Sequence, residues 1–193
     1  MAAQSSGRWR QCTLSGLHDR GDIHRENTMI KLKRLSKKGI PAALDKAERY
    51  RLLNEPQEAE SICLDVLEID PKNQKALVML FLALTDRFGE DSSPDPEQTR
   101  DVLSHIRDKY KRLYYEGILC ERQAKATLKR AMPGSAFDAY EWLGEAMDFF
   151  QKAEAIRPTG NDDAILRWNT CARIIAQNKL VRREEERTVH MLE

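Results

Sequence analysis

The residues of this chain that could do chemistry are few and widely separated. Four cysteines, Cys12, Cys63, Cys120 and Cys171, include no C-x-x-C pair. That is neither zinc-ligand spacing nor a disulfide framework, and it predicts buried, reduced thiols of a cytoplasmic protein. Of the histidines, His18, His24 and His190 fall in the terminal segments, which leaves His105. His105 and Cys120 are a conceivable thiol–imidazole pair. On one straight helix, however, their separation is about 22 Å at 1.5 Å per residue, and only a sharp hairpin would join them. Asp162-Asp163 and Glu184-Glu185-Glu186 read as surface charge rather than metal ligands. No Gly-rich loop follows a strand to cradle a phosphate. The expectation is a protein with no catalytic residue, cofactor or metal.

One charged segment could hold a ligand. Ile30–Lys38 carries Lys31, Lys33, Arg34, Lys37 and Lys38, a pattern able to touch RNA, acidic lipid or an acidic protein. It lacks the interleaved aromatics that stack on bases, and its plain reading is a solvated approach to the first helix. The whole chain of 193 residues has 32 Lys plus Arg against 31 Asp plus Glu. Such a balance gives no general attraction to nucleic acid or to an anionic membrane. The longest apolar run, Ala76 to Leu84, is far shorter than the roughly 20 residues of a membrane span.

Helical periodicity dominates the elements that would position these groups, and strand signals are nearly absent. Charged residues make up 33% of the chain, with only 9 Gly and 7 Pro, which favours helices with solvated outer faces. The spacing predicts helices over 41–53, 56–70 and 75–88, the third apolar on nearly every side and therefore central. A loop follows at Gly89–Asp95. Asp95 and Pro96 then start a helical stretch reaching Met132, with a bend expected at Lys109–Lys111. Further helices are predicted from Pro133-Gly134-Ser135 to Ile156, and over 162–177. Residues 1–29 read as a disordered extension, 30–178 as the folded domain and 179–193 as a charged, frayed tail. Met29 opens the first periodic segment, so translation is expected to begin there.

Two segments align without gaps at a shift of 87 residues. Glu58-Ala59, Cys63, Val66, Ile69 and Pro71 match Glu145-Ala146, Phe150, Ala153, Ile156 and Pro158. Upstream of the first copy, Ala47 and Tyr50 form a small–aromatic pair, followed by Asn54-Glu55 in a turn. Residues 40–73 resemble one full tetratricopeptide unit, although Ala43 and Lys46 stand where that family often has Trp and Leu, and Cys63 replaces an aromatic. Residues 141–158 resemble the second half of another unit. Gly117, with Tyr114 and Cys120, resembles a degenerate first half. The last helix, with Ile165, Trp168 and Ala172, resembles a cap. Two 34-residue units would shift by 68. The surplus of about 19 residues is expected in the loop Gly89–Asp95 and in Ala131–Tyr140.

The resemblance implies an all-α fold. It would be a short right-handed α-solenoid of about three helix pairs with an insertion, after a disordered N-terminal tail. It also implies a concave wall lined by the first helix of each pair, holding a peptide or amphipathic partner helix. The wall residues expected on that basis are Leu44, Glu48, Arg51, Lys75, Val78, Leu82, Leu166, Thr170 and Arg173. The Lys and Asn with which chaperone-binding members grip a terminal carboxylate are missing, since Leu44 and Glu48 stand there. The function so implied is that of an adaptor or assembly factor. Alternatives are a scaffold that self-associates through Trp142, Phe149 and Phe150, or an RNA- or membrane-associated factor using residues 31–38.

Overall fold

Proline and short polar side chains decide where these helices begin. The structure, a computed structural model, describes residues 31–90 and 92–183. Among them are seven α-helices and no strand: α1 (Ile40–Leu52), α2 (Pro56–Ile69), α3 (Gln74–Asp86), α4 (Pro96–Ser104), α5 (Lys109–Arg130), α6 (Ser135–Glu154) and α7 (Asp163–Gln177). Proline occupies the first turn of α1, α2 and α4, where its missing N–H costs nothing. Asn73 accepts from the Ala76 amide at 3.0 Å to cap α3, and Asp95 accepts from that of Glu97 at 3.0 Å to cap α4. The extension 1–29, with Met29, Cys12, His18 and His24, lies outside the described residues, as do Glu184–Glu186 and His190.

Each helix packs on its successor, most extensively α5 on α6, and α1–α3 and α3–α5 also touch. One core cluster runs from Ala47 through α3 and α5 to Leu180. As its all-round apolar pattern requires, α3 is central, with Leu77, Leu80, Phe81 and Ala83 at most 2% exposed. A satellite cluster of Leu44, Val66 and Ala76 closes the first end, under Leu35 and Ile40.

The positions related by 87 residues are buried alike. Ala59 and Ala146, Cys63 and Phe150, and Val66 and Ala153 are all 0% exposed. Small residues at the crossings let neighbouring helices approach closely. We expect Ala59→Leu or Ala146→Leu to overpack a crossing and cost roughly 1–3 kcal/mol. A thermal melt should register either as a fall of several degrees, and an unchanged melting temperature would show the crossing to be open. The match weakens at its end: Ile69 closes α2, but Ile156 lies beyond α6 and is 42% exposed.

Two sequence expectations are corrected here. The break in the long helical stretch falls at 105–108, just before the expected Lys109–Lys111. Asp108 caps α5 by accepting from the Lys111 amide at 3.1 Å, and the side chain of Arg112 donates to the Ile106 and Arg107 carbonyls at 2.6 and 3.0 Å. Gln74 of α3 donates to the His105 carbonyl and accepts from the Arg107 amide. Carbonyls released at the end of α4 thus find new donors, so neither Gly nor Pro is needed. The helix expected after Pro133-Gly134-Ser135 begins at Ser135. Residues 131–134 connect α5 to α6, with Ala131 and Gly134 in left-handed conformations (φ 51° and 86°). Secondly, the folded chain continues past 178. Lys179 adopts φ 50°, the Leu180 amide donates to the Ile175 carbonyl at 3.0 Å, and Leu180 enters the core at 7% exposure.

Candidate functional site

Arg122, Lys125 and Lys129 recur along α5 at intervals of three and four residues, which places them on one helical face. That face looks onto the end of α3. Arg122 donates to the Leu82 carbonyl at 3.0 Å and to the Thr85 hydroxyl, and pairs with Asp86 at 2.7 Å. Burial lowers its pKa from the ordinary value, with Asp86 opposing, and a guanidinium so held stays charged. Asp86 in turn receives Arg51 of α1 at 2.7 Å. The line Arg51–Asp86–Arg122 therefore joins α1, α3 and α5.

A second node joins α5 to α7. Glu121, 1% exposed, has one carboxylate oxygen shared by Lys125 and by Arg167 at 3.3 Å. Burial alone would lower the pKa of Arg167, but Glu121 and Tyr114 outweigh it and the net direction is up. The other Glu121 oxygen finds no partner among the described residues. Aromatic rings pack beside this node: Tyr110 stacks on Tyr114 at 5.9 Å, and the Tyr110 hydroxyl donates to Asn161 at 3.0 Å.

Between the two lines of charge lies a cleft of about 220 Å³, bounded by Thr85, Asp86, Phe88, Arg122, Lys125, Ala126 and Lys129. Small-molecule sites typically enclose about 300–1,000 Å³. This cleft is smaller and open, and its lining mixes apolar Phe88 and Ala126 with basic Arg122, Lys125 and Lys129.

The expected wall residues are distributed unevenly. Leu44 is corrected: at 3% exposure it packs against Val66 and Ala76 and is closed to any ligand. Its position one turn before the buried Ala47 puts both on the inward face of α1. Arg51 borders the cleft through Asp86. Leu82 lends it a carbonyl, but Leu82 and Val78 are half-buried against the core. Glu48 is exposed on α1. Lys75, also exposed, starts α3 and pairs with Asp45 at 3.1 Å. On α7, Leu166 is 62% exposed and Arg173 is exposed, while the hydroxyl of half-buried Thr170 donates to the Leu166 carbonyl at 2.9 Å. The expected self-association patch also shrinks, because Phe150 is 0% exposed and Trp142 and Phe149 are half-buried against the core. Asp86, Glu121, Arg122, Lys125 and Lys129 were not among the expected wall residues. The spacing of the three cations along α5 is the signal that points to them.

Reactive chemistry finds little support in the geometry. Burial, aided by Glu145, pushes the Cys120 thiol up to about 12, opposite to the shift that activates a nucleophile. His105 is exposed at the end of α4, with Nδ1 2.9 Å from the Asp101 carbonyl. Asp162 pairs with Arg157 at 3.5 Å. Among the described residues no group of three or more His, Cys, Asp or Glu could hold a metal ion, and no helix is long and apolar enough to cross a membrane. Lys33, Arg34, Lys37 and Lys38 are exposed. No family model, no curated protein and no solved structure matches the chain.

Proposed function

We propose that this chain is a tetratricopeptide-type repeat module that binds another protein, seating a peptide or partner helix on the side shared by α1, α3, α5 and α7. The observation that carries this reading is the cross-helix series of ion pairs, Arg51–Asp86–Arg122 and Glu121–Arg167. It holds the first helix of each pair in fixed register around an open cleft. A surface braced in this way loses little freedom when it binds, which favours affinity from a limited area. Two further features support the reading: the alike burial of the 87-residue-spaced positions, and the packing of each helix on its chain neighbours. Three buried, unpaired thiols, Cys63, Cys120 and Cys171, suit a reducing compartment such as the cytoplasm. In this reading the chain is an adaptor or assembly factor without a catalytic step.

Panning a displayed-peptide library against the immobilised full chain tests it. Binders of about micromolar Kd are expected, in keeping with an interface near the low end of about 1,200 Å². Lys125→Glu with Lys129→Glu should weaken them about tenfold or more. Asp148→Lys with Gln151→Lys, on exposed positions of α6, should leave them nearly unchanged. Recovery of no ligand, or of ligands indifferent to the α5 changes, would remove the reading.

A further inference from the structure

The cleft between the end of α3 and the second half of α5 carries a local excess of positive charge. Arg51, Arg122, Lys125, Lys129 and Arg167 border it or its adjoining node, against the carboxylates of Asp86 and Glu121. Each of those carboxylates is already divided between two cations. Glu90 stands beside Gly89, where a Cβ would lie 3.3 Å from that of Ala126, but its carboxylate is engaged by Gln57 at 3.1 Å and Arg87 at 3.6 Å. Lys129 lines the cleft, exposed, with no acidic partner among the described residues. The whole chain has a formal net charge of only +1, so this surplus is a property of the place.

The arrangement of the cations says which anion fits. A single phosphate calls for donors that converge, most often the fork of a guanidinium. The guanidinium that lines this cleft, Arg122, is committed to the Leu82 carbonyl, the Thr85 hydroxyl and Asp86. The two lysines stand one helical turn apart, about 6 Å along the axis of α5. In an extended chain, side chains two residues apart share a side and are separated by about 6.5 Å. Two carboxylates separated by one residue in an extended peptide therefore match Lys125 and Lys129 in turn. The aromatic ring at the cleft, Phe88, is half-buried against the core, a poor platform for the base stacking that single-stranded nucleic acid uses.

We propose that this cleft takes an acidic, extended segment of a partner protein, with carboxylates at positions i and i+2 paired to Lys125 and Lys129. Lys125 then shares its ammonium group between the ligand and Glu121, and Lys129 gains the acidic partner it lacks. Pairs of this kind are individually weak and screened by salt, so they set charge specificity and association rate more than affinity. That the ligand is a protein rests on the reading of this face as a binding surface. The charge and spacing it selects rest on the cleft alone.

Fluorescence anisotropy with the full chain tests the proposal. The probes are short, end-blocked fluorescent peptides of Gly and Leu that carry two Glu at i and i+2, two Glu at i and i+1, or two Gln at i and i+2. The spaced Glu probe should bind with a Kd of about 1 mM or tighter. The Gln probe should bind about fivefold or more weaker, and the adjacent Glu probe about threefold weaker. Lys129→Gln, at an exposed position without an acidic partner among the described residues, should erase most of the preference for Glu. Raising the salt from about 0.05 to about 0.5 M should do the same. Lys37→Gln with Lys38→Gln, exposed ahead of α1, should leave the preference intact. No binding, equal binding of the Glu and Gln probes or of the two Glu spacings, or a preference lost only in the Lys37 and Lys38 variant would each overturn the proposal. So would tighter binding of a phosphoserine probe or of a single-stranded oligonucleotide. Panned ligands weakened by Lys125→Glu with Lys129→Glu, yet not enriched in Asp and Glu, would overturn it and leave the repeat-module reading standing. Recovery of no panned ligand removes that reading, and the probe titration decides the chemistry of the cleft separately.

Discussion

Raising the pH above 9 is expected to unfold this domain steeply, with stability falling by roughly 4 kcal/mol per pH unit. Cys63, Cys120 and Cys171 are each 0% exposed, and each thiol is pushed from 9.0 up to about 12. Burial is the largest cause in all three. Arg51 opposes it at Cys63, Glu145 adds to it at Cys120, and Glu121 adds to it at Cys171. In the unfolded chain these thiols lose their protons near pH 9, while in the native core they keep them until about 12. Between those values the native state binds more protons, so stability is complete below pH 9 and is lost as pH rises. Each thiol contributes a slope of about 1.4 kcal/mol per unit. Tyr110 and Tyr115, raised first by burial, act in the same direction. Against a typical domain stability of about 5–15 kcal/mol, a loss of about 12 kcal/mol by pH 12 takes all but the most stable such domains through the unfolding midpoint.

Urea denaturation at pH 8, 9, 10 and 11 at constant ionic strength measures the slope. Cys63→Ala, Cys120→Ala and Cys171→Ala should each lower stability at pH 8 by leaving a small cavity. Each should also flatten the alkaline limb by about one third of its slope, since the three thiols contribute equally. In a Cys12→Ser background, Ellman's reagent at pH 8 should titrate these thiols only as the domain unfolds. A profile flat to pH 11, or prompt reaction of the native chain, would show that water reaches the sulfurs.

How much of this was legible in the chain beforehand depended on whether the determinant was local. Pro41, Pro56 and Pro96 announced helix starts by their own stereochemistry, and the all-round apolar pattern of α3 announced a central helix. The spacing of Ala59, Cys63 and Val66, repeated at Ala146, Phe150 and Ala153, announced buried crossings because a helical face repeats regardless of what covers it. Features made by distant partners stayed hidden. The break at 105–108 has a local mark in Asp108, which caps α5, but its bracing by Gln74 comes from more than thirty residues upstream and leaves no sign near His105. Leu180 follows a residue in a left-handed turn and has no periodic neighbours to mark it as core. The basic cleft escaped for a related reason. Arg122, Lys125 and Lys129 share a face of α5, but which face looks onto α3 follows only once α5 is packed, and no local spacing gives that. The spacing of Leu44 from Ala47, by contrast, is a local signal that places both on the inward face of α1.

The second large effect concerns Gly117, buried in the middle of α5. Helix propensity alone favours Gly117→Ala by about 1 kcal/mol. Packing opposes it, because a Cβ at Gly117 would lie 2.5, 2.7 and 2.9 Å from three atoms of the Phe150 ring. That ring is 0% exposed and has Tyr114 at 5.8 Å on one side, so it has little space into which to retreat. Overpacking costs typically about 1–3 kcal/mol, and we expect the clash to win and the variant to melt at lower temperature. Phe150→Ala, which empties the centre of the α5–α6 crossing, should cost about 3–5 kcal/mol. With the ring removed, the same Gly117→Ala change should reverse sign and stabilise the chain, because only its helix-forming preference and some cavity filling remain. Phe150→Leu gives a milder background if the alanine variant folds poorly. The measured quantity is the coupling in a double-mutant cycle by urea denaturation, expected at about 2 kcal/mol or more. Additive effects would mean that glycine and ring do not meet. The long α5–α6 pair would then approach through some other residue.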